Sequence, residues 1–118
     1  MYYRRKIALA LLESFGNELE KLKLQKLLML YCSLQEKPAF HFVPYKYGCF
    51  SFQANADLTT LVKYSEVSEG ERTWKKVSST NYIKSLKPKD QQLLRNLYSL
   101  YGQKTANELI HLTYTRYP

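Results

Sequence analysis

Apolar residues recur at helical spacing in five stretches of this chain, and turn-forming residues separate them. From Arg4 to Phe15, the residues Ile7, Ala8, Leu11, Leu12 and Phe15 share one face of a helix that Gly16-Asn17 stops. From Lys21 to Gln35, Leu24, Leu27, Leu28, Tyr31 and Leu34 share a face, and Pro38 ends the element. Ser51 has the character of an N-cap for a third helix, Phe52 to about Ser65, with Leu58, Leu61 and Val62 as core positions. Pro88 at a first helical position and Asp90 in the first turn open a fourth, lined by Leu93, Leu94, Leu97, Leu100 and Tyr101 and closed by Gly102. Thr105-Ala106-Asn107-Glu108 is a capping-box pattern ahead of Leu109, Ile110, Leu112 and Thr113.

Helical period fails in two places. Phe40 to Phe50 is aromatic, holds Pro44 and Gly48, and reads as an ordered loop or short extended segment that packs its rings. Between Glu66 and Val77, short β-prone runs flank Glu69-Gly70-Glu71, the pattern of a hairpin. The expected fold class is mostly α: a single small helical domain over 1–118 with one β-hairpin. The helix-then-hairpin order from Ser51 to Val77 makes its central part winged-helix-like. The abrupt close at Tyr117-Pro118 suggests the N-terminal part of a longer protein.

Composition narrows the class. With 45% hydrophobic and 24% charged residues the chain is not disordered throughout. No apolar run reaches the length of a membrane span. The amino end superficially resembles a signal peptide, yet its apolar stretch is short and Glu13 follows at once, so a cytoplasmic protein is expected. Two cysteines are too few for a disulfide scaffold.

Charge adds a hint about partners. The net charge is +8, and from Arg72 to Lys104 eight basic residues face the single acid Asp90. Arg4, Arg5 and Lys6 form a second basic cluster. Such a field suits a polyanion or an acidic protein, and also serves solubility. Lys21, Lys23 and Lys26 near the start of the second helix oppose its dipole, so a partner or a nearby acid is expected for them.

A DNA reading follows from the winged order. The helix from Phe52 to Ser65 would enter a major groove with Gln53, Asn55, Thr59, Thr60 and Lys63, and the hairpin would add Arg72, Lys75 and Lys76. Four acids, Asp57, Glu66, Glu69 and Glu71, stand against it by repelling phosphate. Eleven tyrosines and five phenylalanines invite a base-stacking reading, but most lie at helical spacing or beside prolines, where rings pack. Cys32, Cys49, His41 and His111 lack the short spacing of a zinc module, and no metal or cofactor is expected. Cys49 with His41 or His111 is the only candidate nucleophile pair, and only Lys46 is near enough in sequence to activate the thiol, so no catalytic residue is assigned.

Three segments, in order, resemble a known family. Leu22-Lys23-Leu24-Gln25-Lys26-Leu27-Leu28-Met29-Leu30-Tyr31 resembles the LxKLQKLLYxA opening of the Panacea (SocA-like) domain. Tyr45-Lys46-Tyr47-Gly48-Cys49-Phe50 is similar to its aromatic-x-YGP turn, with Cys49 in place of the proline. Leu97 to Gly102, then Ala106 to Leu109 and Leu112-Thr113, is similar to its closing YGxxSAxxLxxLTH pattern, with Tyr114 where histidine is common. The resemblance spans about Leu22 to Pro118. It implies a mostly helical, non-catalytic protein, bacterial or phage-linked, that binds a toxin-like or client protein and restrains it or delivers it to a protease. Carried over by position, the signature surface is Lys23, Gln25, Lys26, Tyr45, Lys46, Tyr47 and Gly48. From the residues alone, Lys23 and Lys26 lie opposite Leu24, Leu27 and Leu28, free to meet a partner. Gln25 is equally well read as a buried amide that pins the following loop, and Gly48 as serving backbone geometry.

Overall fold

The computed structural model describes residues 1–46 and 48–116, the side chain of Arg116 excepted. The expected site residue Tyr47 and the chain end Tyr117-Pro118 lie outside the described residues. In chain order the elements are α1 (Tyr3–Ser14), β1 (Glu18–Glu20), α2 (Lys21–Leu34), β2 (Val43–Tyr45), β3 (Gly48–Phe50), α3 (Phe52–Lys63), β4 (Val67–Glu69), β5 (Thr73–Lys76), a 3-10 turn (Ile83–Ser85), α4 (Pro88–Tyr101) and α5 (Ala106–Arg116). The protein is mostly α, as the apolar spacing predicts, but it carries more strand than one hairpin.

The local signals read from sequence fall where the chain needs them. The Ser51 hydroxyl accepts from the Ala54 amide at 3.1 Å and opens α3. At α5 the Thr105 amide donates to Glu108 Oε1 at 3.0 Å while the Glu108 amide donates to Thr105 Oγ1 at 3.1 Å, a reciprocal capping box. Gly16 and Asn17 both adopt positive φ and turn the chain out of α1. Gly102 differs from expectation: its φ of −57° is right-handed. There the missing Cβ matters for space, since one would sit 2.6 Å from the Tyr98 carbonyl oxygen.

Burial departs from the one-faced pattern in α1 and α2. Ile7 to Leu12 are all buried, because α1 packs against α2, α3, α4, β5 and the 3-10 turn. Leu24 to Cys32 are likewise all buried, since α4, α5, β1 and β3 surround α2. The apolar residues of all five helices, β1, β4 and β5 form one continuous core. Leu34 and Leu100, expected on core faces, are exposed instead. Each lies in the last turn of its helix.

Two small antiparallel sheets complete the fold. The expected hairpin is β4–β5, and the three residues of β1 add to it, giving the order β1-β5-β4 with Leu19 opposite Trp74. The aromatic segment forms a second hairpin, β2–β3, pairing Val43 with Phe50 and Tyr45 with Gly48. Among the described residues, no helix is long and apolar enough to cross a membrane.

Candidate functional site

The start of α2 meets the β2–β3 hairpin, and α5 packs on both α2 and β3. Gln25 and Lys26, consecutive on α2, hold the hairpin's exit. The Gln25 carboxamide is 4% exposed; it donates to the Ser51 carbonyl at 3.0 Å and accepts from the Ser51 amide at 2.8 Å. This is the buried-amide reading of Gln25. The Lys26 ammonium donates to the Cys49 carbonyl at 3.0 Å.

Lys26 corrects an expectation. It is 1% exposed, not free on the surface, because β3 and α5 cover the side of α2 that periodicity assigns to solvent. No carboxylate pairs with it among the described residues. Burial pushes its ammonium below the usual lysine range. Gly48 makes room for it: its φ is +93°, and a Cβ there would lie 3.3 Å from Lys26 Nζ and 3.8 Å from the Tyr114 ring. Lys23 is half-buried, its ammonium 6.0 Å from the Phe15 ring centre.

Above these ties lies a cavity of about 310 Å³. Lys21, Leu22, Gln25 and Lys26 of α2 form its floor, and Tyr45, Gly48, Cys49 and Phe50 of the hairpin one wall. Asn55 of α3 and the buried Trp74 of β5 close it. Its charged lining is cationic, Lys21 and Lys26, with Lys21 engaged by Glu69 and lying 4.9 Å from the Trp74 ring centre.

Beside the cavity, three rings pack together in solvent. Tyr45 and Phe50 lie 5.2 Å apart between ring centres, Tyr45 and Phe52 5.2 Å, and Phe50 and Phe52 4.8 Å. Tyr45 is 48% exposed and Phe52 53%. Lys46 is exposed and 5.9 Å from the Tyr45 ring centre. The ring cluster was not singled out from sequence as a patch. The aromatic run across residues 40–52 was its signal, and the hairpin register that gathers the rings is not written in it.

The residues of the DNA reading scatter by comparison. Gln53 Oε1 accepts from the His41 amide at 3.3 Å and so braces the loop. Asn55 turns to the cavity. The Thr59 and Thr60 hydroxyls donate to the Asn55 and Ala56 carbonyls within α3. Lys63, Arg72 and Lys75 are exposed.

Lys76 corrects a second expectation. It shares the inward face of β5 with Trp74, is buried, lies 3.4 Å from Glu13 and donates to the Ser78 carbonyl, so it is not a wing contact. Strand alternation carries that signal in the sequence. The opposing acids are also largely spent. Asp57 is 2% exposed and receives Arg4 at 2.6 Å and Arg5 at 2.9 Å. Glu66 accepts from the Tyr82 hydroxyl, and Glu69 pairs with Lys21.

Cys32 and Cys49 are unbridged, and burial raises the Cys32 thiol above its ordinary range. Both line a shallow cleft with His41, whereas His111 is exposed on α5. Comparison with protein-family models, with curated proteins and with solved structures finds no match to this chain.

Proposed function

We propose that this chain is a non-catalytic, Panacea-like protein-interaction module that binds a partner protein and restrains or delivers it. One observation carries the reading: the segments of the resemblance, apart in sequence, pack on one another through α2–β3, α2–α5 and α5–β3 contacts, and beside them stands the exposed Tyr45–Phe50–Phe52 cluster. Exposed, mutually packed aromatic rings next to a cavity are the composition of an interface centre rather than of a solvated surface. In this reading Gln25, Lys26 and Gly48 shape the docking face, Tyr45 contacts the partner and Lys46 borders it, while Lys23 lies over the Phe15 ring.

A second reading has its own support. Helices α1–α3 precede the β4–β5 hairpin, and β1 joins it in a sheet of order β1-β5-β4; this element order supports reading α3 as a groove helix and β4–β5 as a wing. The available contacts are then Asn55, Thr59, Lys63, Arg72 and Lys75. Cations are sparse on this face: α3 supplies Lys63 alone.

Two double variants separate the readings. Tyr45→Ala with Phe52→Ala is expected to weaken binding to the product of the neighbouring gene at least tenfold, with a melting temperature close to that of the parent. Arg72→Glu with Lys75→Glu leaves that binding intact. Fluorescence anisotropy with labelled duplex DNA across a salt series is expected to show weak binding that is lost by physiological salt. Tight, sequence-selective DNA binding abolished by the Arg72/Lys75 pair would replace the first reading with the second.

A further inference from the structure

We propose that the cavity beside Lys26 binds a carboxylate carried on an apolar or aromatic group. Three observations lead there. First, Lys26 is 1% exposed, and among the described residues its ammonium makes one hydrogen bond, to the Cys49 carbonyl, out of a capacity of three. Buried charges are ordinarily paired, and no acid pairs with this one among the described residues. Second, Glu69 already neutralises Lys21, so Lys26 is the one charged residue of the described lining without an acid partner, and the cavity beside it favours an anion. Third, apart from the amides of Gln25 and Asn55 the remaining lining is apolar or aromatic, with Phe50 and Trp74 among it, and the volume of about 310 Å³ suits a ligand of ring size with one polar end.

The same features select carboxylate over phosphate. A phosphate asks for a guanidinium fork or a row of backbone amides, whereas here a single point charge meets greasy walls. The lowered ammonium range of Lys26 agrees with a cation awaiting a counter-charge.

The ligand is either a free small acid or a carboxylate on a partner's chain. The second source rests on the docking reading above, since the cavity adjoins the aromatic cluster through Tyr45 and Phe50.

Trp74 is the chain's single tryptophan and lines the cavity, so its fluorescence reports occupancy. The full chain is titrated with 3-phenylpropionate and with 3-phenylpropionamide, and with the tripeptide Gly-Ala-Phe bearing a free or an amidated carboxyl terminus. Each carboxylate is expected to bind roughly ten- to a hundred-fold more tightly than its amide, the range that a hydrogen bond to a buried charge supplies. Lys26→Met is expected to erase that preference. In the parent protein the preference also fades as pH rises through the lowered Lys26 range, which keeps the test open if the variant does not fold.

Equal binding of acid and amide, or no response to either acid, overturns the proposal. A tighter tripeptide assigns the carboxylate to a chain terminus, and a tighter phenylpropionate to a small acid. Partner binding separates this proposal from the docking reading. If Lys26→Met loses the carboxylate probes but Tyr45→Ala/Phe52→Ala keeps the partner, the docking reading fails and the pocket stands.

Discussion

Gln25 shows how much one side chain can decide. Its carboxamide satisfies both backbone groups of Ser51, the residue that caps α3, so one side chain on α2 fixes where the hairpin ends and where the next helix begins. Gln25→Leu keeps the volume but leaves a buried amide and carbonyl unpaired. The expected loss is about 2–4 kcal/mol of unfolding free energy, read from urea denaturation. Tyr82 supports a prediction in pH. Burial, and then its bond to the Glu66 carboxylate, push its phenol up to about 12. The folded chain therefore holds this proton where the unfolded chain has released it. The stabilisation is whole below pH 10 and is lost as pH rises towards 12. Burial also raises Tyr3 and Tyr31, so they act in the same direction. Lys26 acts oppositely: its lowered range means that its burial cost is relieved as pH climbs towards the ordinary lysine value. Denaturation midpoints between pH 9 and 12 are expected to fall, and Tyr82→Phe to flatten part of that fall.

At the scale of elements, β5 shows what a strand does to neighbouring residues of one charge. Lys75 points to water and Lys76 to Glu13 on α1. Lys75→Glu is expected to change stability by less than about 0.5 kcal/mol. Lys76→Glu sets two carboxylates together in a buried site and is expected to cost about 3–5 kcal/mol; chemical denaturation of the two variants checks the contrast. The alternation is legible in the sequence, since Trp74 and Lys76 occupy one face of any strand through them, whereas net charge carries no information about facing. The helices were legible because their signals are local: apolar spacing and Pro88, with the Ser51 cap and the Thr105–Glu108 box. The short strands were not. Glu18-Leu19-Glu20 alternates polar and apolar, but three residues are too few to signal a strand by themselves, and they are fixed as one by pairing with β5, more than fifty residues later. The candidate cavity was half legible. The segments of the resemblance contain Gln25, Lys26, Tyr45 and Gly48, but Trp74 and Asn55 reach the cavity through tertiary packing alone.

For the whole molecule, the +8 charge overstates the basic surface. Arg4 and Arg5 are held by the buried Asp57, Lys76 is inside against Glu13, and Lys26 is buried beside its cavity. The most distinctive exposed feature is aromatic, the packed rings of Tyr45 and Phe52 with Phe50. The ties from Gln25 and Lys26 to residues 49–51 also set rules for the chain's tolerance of length. Two adjacent positions of a rigid helix grip a short stretch of backbone like a ruler against a thread. A residue inserted at Lys37, on the exposed stretch after α2, strains the Gln35–Ala39 bond and the seat of Phe40 but leaves both grips in register. A residue inserted between Cys49 and Ser51 moves one grip out of register with the other and rotates the start of α3. The first insertion is expected to lower the denaturation midpoint while unfolding stays cooperative, and the second to abolish cooperative unfolding. Variation among natural sequences of this shape should therefore collect before the hairpin, while the spacing behind it stays fixed.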